Sequence, residues 1–372
     1  MKILILKPYM TQARYHFERT QELSRFMSVT WLIGSHPRED KTSYDEYISG
    51  SHKIETIERK FRYFIVHKFF FEICYVLKAM IYLKNAEFDL AIVHYHRLAF
   101  MLALFSRKKS KLALQLFTSS VAKSPWTRRF QDLQFKFNAQ HFARVLVGTD
   151  YMIRHLKLDS AKCSLIQWGM NPISRSPQVF AGKLSLVYLG TLNGRQIPDT
   201  IRGLGIFIRK FPQLRAVTYS IIGKGAAAEV QKLVSTIHAE NLQDIVQYLG
   251  YIDDNDLKDY IDSCNVGVSY VPVTKYYNDV IATKTYEYLL SGLCVLATNT
   301  NENRKMVNQN NGVLIEDNPA SFANGLEQIW QNMENYSSQK IVKESIIYTL
   351  EYRVKNSVVP LLKKLAAAAA KQ

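Results

Sequence analysis

Apolar residues come in two patterns along this chain. Short unbroken runs alternate with longer stretches in which they recur every three or four positions. The first pattern predicts buried strands and the second amphipathic helices. Read this way, residues 2–6 form a first strand, 15–26 a helix and 29–33 a second strand. Residues 35–57 are polar and turn-rich. Between Ile57 and Lys84, apolar Phe61, Phe64, Ile65, Phe69, Cys74, Leu77 and Ile81 interleave with Arg59, Lys60, Arg62, Lys68 and Lys78. Further strands are expected at 88–93, 111–116, 143–148 and 164–167.

The second half repeats this grammar. Strands are expected at 185–189, 216–222, 245–249, 266–270, 293–297 and 313–315. Helical stretches at 201–211, 229–238, 256–264 and 284–290 separate them. Strands alternating with helices predict parallel sheets wound with helices on both faces. The fold class is therefore α/β, with two doubly wound, Rossmann-like domains. Their expected limits are 1–170 and 171–345. A helical tail, 346–372, follows and is free to cross back to the first domain. The boundary falls in a stretch rich in Pro, Ser and Gly, residues 168–183. The five alanines from Ala366 to Ala370 read either as a helix end or as a segment extraneous to the fold.

Composition narrows the function classes. Apolar residues make up 47% of the 372 and charged residues 22%, which excludes a disordered chain. Lys plus Arg number 48 against 32 Asp plus Glu, a net charge of +16. Residues 1–170 hold 27 of the basic and 14 of the acidic side chains, and so carry +13 of it. The first half is thus expected to face something anionic: a membrane surface, an acidic substrate or nucleic acid. No RNA-binding motif or zinc-ligand spacing supports nucleic acid, so none is expected. Cys74, Cys163, Cys264 and Cys294 are far apart and form no CxxC pair, which reads as reduced thiols and no metal site. The opening apolar run is too short for a signal peptide, and no window of about 18 residues is apolar throughout. A cytoplasmic location is expected.

In open parallel sheets, ligands sit beyond the carboxyl ends of the strands. Three such ends in the second half hold candidate chemistry. Gly190 to Arg195 offers glycines for close backbone approach to an anion and a cation in Arg195; an ordinary strand-to-helix turn with a surface Arg fits the same residues. Gly223-Lys224-Gly225 is either a second such approach or a tight packing turn. The third end runs from Tyr270 to Thr298. Thr283 is a candidate N-cap and Gly292 a candidate C′ residue, which delimits a short helix. Lys284 and Glu287 lie three apart on one face of its first turn. There a diphosphate would meet the lysine and the helix start, and a ribose diol the glutamate. The alternative is a surface ion pair worth about 0.3–0.5 kcal/mol.

The segment TKTYEYLLSGLCVLAT, from Thr283 to Thr298, resembles the P-x-K-x-x-E-Y-x-x-x-G-x-P-V-x-x-T segment of glycosyltransferase family 4, also called group 1, whose fold is GT-B. LVYLGTLNGRQIPDTI, YSIIGKGAAAEVQKL and VQYLGYIDDNDLKDYIDSCNVGVSYVP resemble its other segments in the same order. In the first half, mainly strand order and FDLAIVHYH agree. The resemblance implies a GT-B fold, with two Rossmann-like domains facing across a cleft, the first binding acceptor and the second the nucleotide sugar. It implies transfer of a sugar from a nucleotide-diphosphate donor, with retention and without metal or cofactor. By position, Glu287 matches the residue on the donor ribose and Asp279 the first acid of an E-x7-E motif near the donor sugar. Arg195 and Lys284 match basic residues on the diphosphate, and Tyr251 and Ile252 a loop framing the base. Asp279, Lys284 and Arg195 are thus the implied catalytic set. Gly194, Gly223 and Thr283 join Glu287, Arg195, Lys284 and Tyr251 at the donor.

The sequence departs from the family pattern at several points. Thr191 follows the strand glycine where Arg is common, Ala282 and Cys294 replace prolines, and Lys7-Pro8-Tyr9 stands where a Gly-Gly loop is usual. Phe117 occupies the place of a histidine near the reaction centre, so His94 or His96 is a candidate for sugar or acceptor contacts on that side, as is a purely structural role for both. The basic and aromatic stretch between Ile57 and Lys84 suits an anionic membrane interface, or a core helix with a solvated basic face. The expected function is transfer to a glycan or lipid-linked acceptor in surface polysaccharide or lipopolysaccharide-type synthesis. A non-catalytic GT-B partner that binds nucleotide sugar or glycan at the membrane is the alternative.

Overall fold

The structure, a computed structural model, describes residues 1–8, 13–35, 52–58, 66–117, 120, 124–180, 182–214, 216–253, 256–280 and 282–371. The chain divides into two compact units. The first comprises Met1–Gly169 and Leu350–Gln372, and the second Met170–Thr349.

The first unit holds a seven-stranded sheet of β1 (Lys2–Lys7), β2 (Ser28–Ser35), β3 (His52–Glu58), β4 (Leu90–His94), β5 (Leu112–Leu116), β6 (Arg144–Val147) and β7 (Cys163–Leu165). Their order is β3-β2-β1-β4-β5-β6-β7, and every pairing is parallel. β4 and β5 are buried along their whole length, which is why they read as unbroken apolar runs. One face is covered by the helices Val66–Asn85, Ala99–Phe105, Pro125–His141 and Asp150–Leu156, which contribute Tyr75, Ala79, Leu102, Ala139 and Met152 to its core. On the other face the core takes in Leu23 from the helix Ala13–Ser24, and Leu350, Val354, Val358 and Leu362 from the C-terminal segment.

The second unit holds β8 (Leu184–Leu189), β9 (Val217–Ile222), β10 (Val246–Gly250), β11 (Val266–Ser269), β12 (Cys294–Thr298) and β13 (Gly312–Ile315). Their order is β10-β9-β8-β11-β12-β13, again parallel throughout. In each sheet the strand order reverses once, between β1 and β4 and between β8 and β11. A crevice opens at such a point because successive crossovers leave it in opposite directions.

Several expectations need correction. The polar stretch 35–57 contains a strand, β3, which pairs with β2 along seven residues. The stretch from Ile57 to Lys84 is not one element. Ile57 belongs to β3, the helix begins at Val66, and Arg59, Lys60, Phe61, Arg62, Phe64 and Ile65 lie outside the described residues. Within that helix Phe69, Cys74, Leu77 and Ile81 are exposed, while Phe71, Tyr75, Val76, Ala79 and Leu83 form the buried stripe. The chain rejoins the first unit at Leu350 rather than at 346. The five alanines close the helix Val359–Ala370 with Ala366 and Ala369 buried, so they are a helix end. Among the described residues, no helix is long and apolar enough to cross a membrane.

Candidate functional site

The second unit gathers its polar loops at the carboxyl ends of β8, β9, β10 and β11. Two of these loops touch through backbone. A Cβ at Gly223 would overlap the Gly190 carbonyl oxygen, and the Gly223 N–H donates to the Gly250 carbonyl at 2.6 Å. Only glycine permits that approach. The Gly190 turn is held to the next loop by the Leu192 N–H on the Lys224 carbonyl (2.8 Å) and the Ala226 N–H on Asn193 Oδ1 (2.8 Å). Gly194 takes φ 67°, a left-handed conformation that turns the chain toward Arg195.

Arg195 does not point freely into solvent. Its guanidinium lies 4.4 Å from the ring centroid of Tyr277, on the loop that follows β11. Stacking of this kind fixes the plane of the fork. Lys224 stands 3.7 Å over the Tyr251 ring in the same way, joining the β9 and β10 loops. Tyr277 was not foreseen from sequence. Its only local signal is a place two residues before Asp279, and Arg195 is far away along the chain.

The helix Thr283–Leu290 starts beneath this loop. Ala282, not Thr283, is its N-cap residue, and no side chain caps it. Thr283 therefore belongs to the first turn, whose N–H groups have no side-chain cap. The Thr285 hydroxyl turns inward instead, to Ser269 Oγ at 2.8 Å and Asn303 Oδ1 at 2.9 Å, which ties the helix start to β11 and the loop after β12. Lys284 Nζ and Glu287 Oε2 are 2.6 Å apart. Glu287 is 4% exposed, so the pair is not the solvated surface contact that its spacing also allowed. Gly292 takes φ 76° at the helix end, and a Cβ there would overlap Ser338 Oγ. The Leu293 N–H closes the turn on the Tyr288 carbonyl at 3.1 Å.

Asp279 lies in the short turn Tyr277–Asp279 and accepts from Asn301 Nδ2 at 2.8 Å. The loop 298–305 was not singled out from sequence. It adds buried Asn303, and buried Glu302 paired with Lys305 at 2.6 Å. Its signal was the polar run Thr298-Asn299-Thr300-Asn301 directly after an apolar strand. The arrangement presents the buried Glu287 carboxylate, the oriented cations Arg195 and Lys284 and a helix start at one sheet's carboxyl edge. Such a set suits a ribose diol beside a diphosphate.

In the first unit, His94 ends β4 and packs against His16 (5.4 Å between centroids), Phe117 (5.5 Å) and Trp31 (6.1 Å). The Arg19 guanidinium lies 5.9 Å from the Phe117 ring. Burial holds the His94 imidazole well below its usual pKa, and pushes His16 to about 2. Burial, with Arg19 nearby, lowers the Lys7 amine to about 7. His96 sits apart from this cluster. Its ring meets Tyr75 edge-on at 5.8 Å, burial lowers its pKa to about 3, and neither ring nitrogen has a hydrogen-bond partner among the described residues.

Comparison with known proteins agrees with this fold. Residues 184–332 match the family described as Glycosyl transferases group 1. No curated protein matches the sequence. Among solved structures, the chain is similar to a sucrose-phosphate synthase from Thermosynechococcus elongatus (16% identity, TM-score 0.72, 99% of this chain and 100% of the other). It is also similar to HepE of Anabaena in complex with UDP (15%, TM-score 0.68, all of both chains). A third is WaaB, a lipopolysaccharide outer core galactosyltransferase (14%, TM-score 0.69, 98% and 100%). The two parallel sheets and these full-length superpositions establish the GT-B fold, and within it residues 184–332 are similar to the group 1 glycosyltransferases.

Proposed function

We propose that this chain transfers a sugar from a nucleotide-diphosphate donor to a glycan or lipid-linked acceptor, with retention, in surface polysaccharide or lipopolysaccharide-type synthesis on the cytoplasmic side of a membrane. The observation that carries the reading is the Lys284–Glu287 pair, set in the first turn of a helix without a side-chain cap at the sheet's switch point. Support also comes from HepE, which was solved with UDP and with UDP-glucose.

In this reading Glu287 accepts from the ribose hydroxyls. Lys284, Arg195 and the N–H groups at Thr283 face the diphosphate, whose negative charge grows as the sugar departs. Gly194 and Gly223 let backbone come close, and Tyr251, braced by Lys224, borders the base. Asp279, held by Asn301, takes hydroxyls of the donor sugar. The departing phosphate assists deprotonation of the acceptor hydroxyl, so paired carboxylates of the glycosidase kind are not needed. The positive charge comes from these side chains and the helix start, and the nucleotide sugar is a co-substrate rather than a resident cofactor. We assign His94 and Phe117 to the acceptor side. His96, enclosed against Tyr75, has a structural place. The position of Phe117 also favours a second reading, a non-catalytic partner that binds nucleotide sugar; turnover with any donor separates the two.

The test is a thermal-shift panel with UDP, GDP, ADP, dTDP and CMP. A ligand at about 100 times its Kd stabilises the fold by about 2.7 kcal/mol. One diphosphate is expected to raise the transition. Glu287→Ala is expected to weaken that nucleotide by ~1.5–3 kcal/mol, the worth of a charged hydrogen bond. An unchanged affinity in the variant removes the ribose assignment.

A further inference from the structure

Two helices on the same face of the first sheet each carry an apolar stripe turned away from the core. On the helix Pro125–His141 the stripe is Trp126, Phe130, Leu133 and Phe137, exposed by 79%, 62%, 64% and 47%. Their spacing of 4, 3 and 4 places them within one narrow arc, at about 100° per residue. Phe135, Asn138 and Ala139, which pack inward, lie on the opposite side. On the helix Val66–Asn85, Phe70, Cys74, Leu77 and Ile81 repeat the same spacing and are exposed in the same way. The short helix Ala99–Phe105 packs against both and ends in exposed Leu104 and Phe105. Apolar side chains on three neighbouring helices are therefore left uncovered by the described residues. Single exposed leucines need no explanation, but aligned stripes of aromatics do.

The charge around the stripes indicates what covers them. From Leu90 to Gln131 there is no acidic residue, and there are eight basic ones. Arg107, Lys108 and Lys109 follow Phe105 after Ser106, and Arg128 and Arg129 lie within the first turns beside Trp126 and Phe130. Of the carboxylates flanking this stretch, Asp132 bonds His155 at 2.9 Å and Glu87 pairs with Lys2 at 2.8 Å, while Glu72 is buried. An apolar surface rimmed by an excess of cations is complementary to an anionic lipid bilayer, whose headgroups meet the rim and whose acyl region meets the stripe. A protein partner with a matching groove would need its own dense carboxylates.

We infer that this face of the first unit, with the stripe Trp126, Phe130, Leu133 and Phe137 at its centre, seats the enzyme on an anionic membrane. The proposal deepens the lipid-linked acceptor reading and rests on it for its purpose, not for its evidence. The expected location between Ile57 and Lys84 is only one border of the surface. The first unit's excess charge then has a job that nucleotide binding in the second unit does not explain.

The experiment is flotation of the full chain with vesicles of phosphatidylcholine, with and without about one third phosphatidylglycerol. The wild type is expected to float with the anionic vesicles, at least about ten-fold more than with neutral ones, and to be released by high salt. Phe130→Glu with Leu133→Glu is expected to lower flotation at least about ten-fold, because charge in the stripe opposes insertion. Both side chains point away from the core, so the nucleotide thermal shift is expected to persist and serves as the folding control. Leu77→Glu with Ile81→Glu tests the second stripe in the same assay. Failure of the wild type to float, or full flotation by both variants, overturns the proposal. Self-association that the substitutions abolish, without flotation, overturns it in favour of a second copy. Flotation without any nucleotide shift would instead sink the transferase reading and leave this surface standing.

Discussion

Burial strips water from the imidazole of His96 and nothing described replaces it, so the ring stays neutral far into acid. Its pKa in the folded chain, about 3, lies below the ordinary 6.5 of the unfolded one. Between these values the unfolded state binds more protons, so stability rises with pH and is lost as pH falls toward 3, by about 1.4 kcal/mol per pH unit. Above pH 6.5 this group adds no slope. Lys7 contributes with the same sign in a higher window, from about 7 to its ordinary 10.5. His96→Phe is therefore expected to flatten the denaturant-midpoint profile below pH 6.5 and to leave neutral stability intact. A profile as steep as the wild type's would show that acid sensitivity arises elsewhere. Single residues differed in how legible they were. Lys284, Glu287 and Gly292 could be read because helical spacing and turn chemistry act within a few positions. The Arg195–Tyr277 stack could not, since its partners meet only through the closed sheet. Thr283 was misplaced by one residue: the helix begins at Thr283 itself, Ala282 takes the cap position, and no side chain caps the start.

The contact of the β8 and β9 loops at Gly190 and Gly223 is the element on which the donor site depends. Any side chain at Gly223 must push them apart. Gly223→Ala is expected to cost ~1–3 kcal/mol, as overpacking does, and to lose the nucleotide shift by more than its stability loss explains. A variant that binds nucleotide normally would show that the loops are not part of the donor site. The strands β8, β11 and β12 were readable because strands buried on both faces read as short, largely apolar runs. β3, with the sequence His-Lys-Ile-Glu-Thr-Ile-Glu, was not, since an edge strand keeps polar residues. The helix Val66–Asn85 shows a different limit. It is apolar on two sides, and periodicity alone does not say which stripe faces the core.

Across the molecule, the segment from Leu350 onward completes the first unit's core rather than trailing from the second. Leu362, fully buried in that core, is a direct probe of it. Leu362→Ala is expected to destabilise the first unit by ~2–5 kcal/mol while leaving the nucleotide-dependent transition of the second in place. Loss of both together would mean that the units unfold as one. The sequence made two Rossmann-like halves legible, because each repeats the same order of strand and helix. The share of the tail in the first core was open, since its apolar residues fit any covered helix. This connectivity also sets an order of events on the ribosome. Residues 170–349 form a unit from a continuous stretch, with the Met170 N–H on the Tyr348 carbonyl at 3.0 Å where the stretch begins and ends. That stretch can close as soon as it emerges. The first unit cannot, because Val354, Val358 and Leu362 of its core are made after that stretch. The half synthesised first is finished last, and until then its β1–β2 surface stays open on one side to chaperones and to other nascent chains.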